Sequence, residues 1–121
     1  MKTLALVTCF LTISFAVDPP VTQLYNYYAS CIKEFNVQEW TPEVCKCVME
    51  KYKVIDEQGS INKEKVFFNI DKLISDPAKL KKTKDIITTC LQQAQSGSND
   101  EKTMSFIRCA IHVTELFDKP E

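Results

Sequence analysis

The amino-acid sequence predicts an all-α fold: a compact bundle of five to six helices stapled by two disulfides around an apolar cavity. Three observations carry that prediction. Apolar residues recur at spacings of three and four along the chain, and no stretch alternates as a half-buried strand would. The 121 residues include two glycines, too few for the hairpin turns and bulges of an all-β architecture. Six cysteines occur in a chain small enough for covalent staples to matter.

Residues 1–16 read as a signal peptide, and the helical domain is expected at 17–121. Lys2 supplies the positive start, Leu4 to Phe15 is an apolar stretch broken only by Thr and Ser, and Ser14 and Ala16 form a small-residue cleavage site. The stretch is too short to cross a bilayer core of about 30 Å, and no later run reaches the ~18 apolar residues of a membrane helix. Stable membrane insertion is therefore not expected. Cleavage after Ala16 discards Cys9 and leaves Cys31, Cys45, Cys47, Cys90 and Cys109 for an oxidising compartment.

The helices follow from local signals. Leu24, Tyr27, Tyr28, Cys31, Ile32 and Phe35 share one face of a helix from Thr22 to about Phe35. Thr41-Pro42-Glu43 is a helix start: a hydroxyl cap, a proline at the first helical position, an acid in the first turn. That helix carries Cys45, Val48, Met49 and Tyr52. A turn at 56–60 follows, and Asn62 caps a third helix with Val66, Phe67, Ile70, Leu73 and Ile74. Asp76-Pro77 repeats the cap-then-proline signal ahead of Leu80, Ile87, Cys90, Leu91 and Ala94. Ser98 and Glu101 have capping-box spacing for a last helix. Its apolar residues, Met104 to Phe117, cover about two thirds of the circumference, which predicts a central helix packed on several sides.

Composition excludes several function classes. A net charge of −1 offers no cluster to neutralise phosphates, so nucleic acid is not an expected partner. No G-x-G-x-x-G and no P-loop is present, and no cofactor is implied. Metal binding lacks convergent ligands, since Cys45-x-Cys47 has no second pair and one distant histidine. An enzyme is not expected: His112 is the sole histidine, lies on the polar stripe of the last helix, and has no acidic partner beside it. His112 reads as a solvated residue, with pH sensing as its alternative role. Lys79, Lys81, Lys82 and Lys84 read as a solvated helix face rather than a membrane-contacting patch.

The five remaining cysteines are an odd number, so one stays free or pairs between chains. Cys45 and Cys47 lie two apart on a helix and point about 200° away from each other. One of them faces the interior seam and the other is the odd thiol.

Several segments resemble the insect odorant-binding proteins, secreted six-helix carriers. Ala29 to Val37 is similar to that family's first-cysteine helix. Cys47 to Asn62 resembles its segment from the third cysteine through the turn into helix four. Cys90 and Phe106 to Ala110 look like its fourth and sixth cysteines. The family's second and fifth cysteines fall on Glu43 and Asp100, as in its reduced-cysteine ("minus-C") subgroup. The stretch from Cys31 to Cys47 is also shorter than that family's usual one. The resemblance implies bridges Cys31–Cys47 and Cys90–Cys109, with Cys45 as a free thiol.

It further implies a secreted carrier, in sensillum lymph, haemolymph or venom, that binds a small hydrophobic ligand (an odorant, a pheromone or a lipid-like molecule). The ligand would occupy a pocket of about 300–1,000 Å³. Large, soft side chains on inward faces fit this reading: Met49, Phe67, Met104, Phe106 and Phe117. Matching to the family's pocket adds Val54, Ile61, Ile70 and Ala110, with Phe117 as a C-terminal cover. A homodimer and a chemosensory receptor are further partners on this reading. The alternative is a secreted protein similar to the ant venom allergens related to the same fold, acting as a venom component or as a dimer linked through Cys45.

Overall fold

A computed structural model describes residues 19–119; the expected signal peptide at 1–16 lies outside them. Among the described residues the chain forms five α-helices and one 3₁₀ helix, with an isolated antiparallel bridge between Ile55 and Ile61 in place of any strand. The all-α expectation holds.

Helix α1 spans Pro19–Phe35. It starts three residues ahead of the expected Thr22, because its first turn accommodates Pro19 and Pro20 where no intrahelical N–H is needed. It buries Val21, Leu24 and Cys31. Its end is set by Asn36, which takes the left-handed conformation (φ 55°), while the Val37 N–H donates to Ile32 O at 3.0 Å and the Asn36 N–H to Lys33 O at 3.3 Å. This is a Schellman stop with asparagine at the strained position.

Helix α2, Pro42–Lys51, opens as its cap predicts: the Thr41 hydroxyl accepts the Val44 N–H at 3.2 Å. It closes with a second Schellman stop at Lys53 (φ 62°), where the Val54 N–H donates to Met49 O at 3.1 Å. Such a stop places the residue after the left-handed position against the final helical turn. Val54 is thereby turned into the core, 4% exposed.

The turn at 56–60 is built on Asp56, whose Oδ1 accepts the N–H groups of Gln58 and Ser60, both at 2.9 Å. Gly59 supplies the φ of 85° that the turn requires. Thr103 donates its hydroxyl to Gly59 O at 2.7 Å, and Asn99 donates its amide to Gln58 O at 3.0 Å. The turn is thus fastened to the start of the last α-helix.

Helix α3, Lys63–Leu73, is capped by Asn62, and α4, Pro77–Gln93, by Asp76, whose carboxylate accepts the Ala78 and Lys79 N–H groups. Helix α5, Asn99–Ala110, carries the full capping box of Ser98 and Glu101. The Ser98 hydrogen bonds hold the Glu101 carboxyl below its usual range.

The last segment departs from expectation. One helix was expected to run to Phe117, but the α-helix stops at Ala110 and tightens into a 3₁₀ helix over Ile111–Leu116. Ile111, Val113 and Thr114 concentrate β-branched side chains there, which disfavours continued α-helix, and 3₁₀ turns commonly finish helices. The expected packing on several sides survives: α5 lies against α2 and α4.

Two bridges staple the bundle. Cys31–Cys47 joins α1 to α2, and Cys90–Cys109 joins α4 to α5. With separations of 16 and 19 residues, each adds roughly 3 kcal/mol by constraining the unfolded chain. Helix α3 carries neither bridge and is held by burial of Val66, Ile70 and Leu73. Lys84 of α4 adds an ion pair to Asp71 of α3 at 2.6 Å. Of the basic run, Lys79, Lys81 and Lys82 are solvent-exposed, as expected. No described helix is long and apolar enough to cross a membrane.

Candidate functional site: an apolar slot among the helices

The inward faces of α2, α3 and α5 do not close completely. They leave a slot of about 90 Å³, partly open to solvent, with an apolar surface. Val48 and Met49 of α2 form one wall, Ile70 and Leu73 of α3 another, and Phe106 and Ala110 of α5 a third. The 3₁₀ helix contributes Val113. Phe117, just beyond it, also lines the slot and meets Trp40 edge-on, with ring centroids 6.4 Å apart.

Six of the nine residues expected at a ligand site come together here: Met49, Val54, Ile70, Phe106, Ala110 and Phe117. The other three do not line the slot. Ile61 lies on a separate cleft of about 350 Å³ that shares Phe106 with it. Phe67 packs at the margin of the core beneath the Lys63 ammonium, 5.9 Å from its ring centre. Met104 is half-buried against the core, two positions from Phe106 and so on another face of α5. The slot is also smaller than the 300–1,000 Å³ expected, because Leu24, Ile87 and Ile107 fill much of the space between the helices.

Three further residues shape the slot. Trp40, the chain's only tryptophan, lines it and stacks at a tilt on Tyr28, 4.5 Å between centroids. The signal for Trp40 was present: it precedes the Thr41 cap and stands five residues before Cys45, the spacing of a hydrophobic staple. Cys45 is the free cysteine among the described residues. It lines the slot while Cys47 faces α1, so the opposed orientations expected of the pair are realised. Burial pushes the Cys45 thiol up to about 12, which keeps it protonated and unreactive at neutral pH.

Tyr52 is the third. Its ring lines the slot and meets Tyr27 edge-on at 4.9 Å, yet its hydroxyl is buried with no hydrogen-bond partner among the described residues. Burial, with the nearby Tyr27, pushes its pKa up to about 12. His112 is exposed and does not line the slot, although its neighbours Ile111 and Val113 do. Among the described residues no three His, Cys, Asp or Glu side chains converge to hold a metal ion.

Comparison with protein families decides the kinship. The profile of the ant venom allergen Sol i 2 family matches residues 30–114, well over half of the chain. The chain belongs to the ant venom allergen Sol i 2 family. That finding overturns the resemblance to the odorant-binding proteins and their minus-C subgroup, a distinct family, and the olfactory role falls with it. The departures from that resemblance were the informative part: the short Cys31–Cys47 stretch, the extra Cys45, and Glu43 and Asp100 where cysteines were expected. The Sol i 2 match runs from Ser30 to Thr114, so it contains both disulfides, Cys45 and nearly all of the slot. No curated protein matches the chain.

Proposed function

We propose that the protein is a secreted venom component, not an enzyme, that carries a slim apolar molecule non-covalently in the slot. The single observation that carries this reading is the slot itself: an unfilled apolar volume, open on one side, in an otherwise packed bundle. Small domains rarely leave such space unfilled, because each lost methyl contact costs stability. The two disulfides supply that stability covalently. Binding would be driven by removing ligand hydrocarbon from water, at roughly 25 cal/mol per Å². Secretion is supported by the family, by the disulfides and by the expected leader at 1–16. The alternative of a dimer linked through Cys45 is disfavoured by the thiol's place on the slot wall.

Trp40 reports on the slot directly. Titrating hexane-sized apolar molecules into the protein is expected to change Trp40 emission saturably, and Ala110→Leu, which pushes a larger side chain into the slot, to abolish that change while leaving the fold intact by circular dichroism. If no apolar compound produces a saturable change below about 100 μM, a binding free energy of about 5.5 kcal/mol, the carrier reading is dropped.

A further inference from the structure

The cleft of about 350 Å³ that holds Ile61 lies between the start of α3, the end of α4 and the first turns of α5. Its volume falls within the range of ordinary ligand sites, which that of the slot does not. Its sides are fixed before any ligand arrives. The Cys90–Cys109 bridge joins α4 to α5, and the Thr103 hydroxyl and Asn99 amide fasten Gly59 and Gln58, next to Ser60 and Ile61, to α5. A site held in this way pays little ordering entropy on binding. Its charge has one sign. Lys63 and Lys102 line it and no Asp or Glu does, in a chain with 16 acidic against 15 basic residues. Neither lysine forms an ion pair with a described residue. The nearby carboxylates are engaged elsewhere: Asp56 accepts the Gln58 and Ser60 N–H groups, and Glu101 accepts the Ser98 N–H. Beside the two ammonium groups stand the half-buried apolar side chains of Ile61, Leu91 and Ala94.

We propose that this cleft is a second binding site, for a small carboxylate on an apolar body, its oxygens at Lys63 and Lys102 and its hydrocarbon against Ile61, Leu91 and Ala94. An ammonium donates a charge-assisted hydrogen bond to a carboxylate. The apolar contacts are needed as well, because solvent-facing charges alone hold an anion weakly in salt. A monoanion suits the lining better than a phosphate does. No arginine is present to grip a doubly charged group bidentately, and the Glu101 carboxylate already occupies the N-terminus of α5. The site is independent of the slot, with which it shares Phe106 alone, and it stands whether or not the slot carries a ligand.

The experiment is calorimetric titration of 2-naphthoate, 2-naphthalenemethanol and acetate at pH 7.5 in low salt, into the wild-type protein and into Lys63→Gln, Lys102→Gln and Ala110→Leu. In the wild type the naphthoate is expected to bind about tenfold more tightly than the alcohol, the effect of one charge-assisted hydrogen bond, and acetate not measurably. Each lysine variant should shrink the naphthoate-to-alcohol ratio while leaving the affinity for the alcohol unchanged. If Lys102→Gln perturbs folding, seen as loss of alcohol binding, the exposed Lys63 carries the same test. Ala110→Leu, which fills the slot, should leave naphthoate binding as it is. Equal affinities for naphthoate and alcohol, or a ratio that neither lysine variant moves, overturn the anion site. Acetate binding as tightly as naphthoate overturns the apolar contacts. Loss of naphthoate binding in Ala110→Leu places that ligand in the slot and overturns the second site. Absence of binding by all three compounds overturns it too, and the carrier reading is decided separately by Trp40 emission.

Discussion

Asp118 ties the end of the described chain to Ser75, 43 residues earlier. Its carboxylate accepts the Ser75 N–H and hydroxyl, each at 3.2 Å, while its own N–H donates to Leu73 O at 2.8 Å. The residue just before it is Phe117, whose ring lines the slot. The tail is thus latched onto the junction between α3 and α4, right beside a residue that lines the slot.

Asp118→Ala should loosen the Phe117 end of the slot lining. With the carboxylate gone, two exposed hydrogen-bond partners are released to water and stability falls by about 1 kcal/mol. In a domain of this size that corresponds to a Tm lowered by about 5 °C. A bound apolar molecule should leave the variant several-fold faster, read by stopped-flow Trp40 fluorescence. An unchanged release rate would show that exchange does not pass Phe117.

Cys45 should be a poor nucleophile in the native protein. Raising a thiol from 9 to about 12 lowers its thiolate fraction at pH 8 on the order of a thousandfold. Alkylation by iodoacetamide at pH 8 should therefore be markedly slower than in urea. The same protein should migrate as a monomer without reductant, with a mass four hydrogens below that of the reduced chain. A dimer band that reductant removes would refute this.

Stability should decline at alkaline pH. The native state holds the Cys45 proton up to about 12, whereas the unfolded chain releases it near 9. The stabilising difference is whole below pH 9 and is lost as pH rises from 9 to 12, by about 4 kcal/mol at most. Tyr52, raised from 10 to about 12, acts in the same direction between those values. The urea midpoint should drop between pH 8 and 10.5, and Cys45→Ala should reduce that drop.

Replacing Cys90 and Cys109 together by alanine should remove roughly 3 kcal/mol, the contribution of a bridge closing a loop of this length. Because α4 and α5 also pack against each other, with Ile87 and Ile107 buried in the core, the variant should stay helical at low temperature and unfold earlier on heating. Calorimetry reads both.

The helices were legible because their signals are local. Thr41, Asn62, Asp76 and Ser98 each cap the helix that their sequence context announces. The 3₁₀ finish after Ala110 was not legible, since Ile111 to Leu116 continues the apolar periodicity and β-branched residues also occur within α-helices. The slot was legible only in part. Helical spacing places Met49, Ile70, Phe106 and Ala110 inward, but which inward residues border empty space depends on how neighbours fill it. That is why Ile61, Phe67 and Met104 do not line the slot, although they were grouped with the residues that do. Trp40 and Tyr52 matter through contacts with residues distant in the chain, which periodicity does not register. The family assignment needed the profile match over residues 30–114, which the short matched segments alone did not supply.

The placement of the two bridges also decides how the molecule responds to being cut. One closes the chain around residues 32–46, the other around 91–108, and neither encloses 48–89. A protease that nicks inside either loop leaves all pieces covalently joined, with the slot's walls still tethered to one another. A single nick between Cys47 and Cys90, for example in the exposed turn at Glu57 or Gln58, separates α1 and α2 from α4 and α5. In a proteolytic fluid the lifetime of the whole protein is therefore set by its unbridged middle.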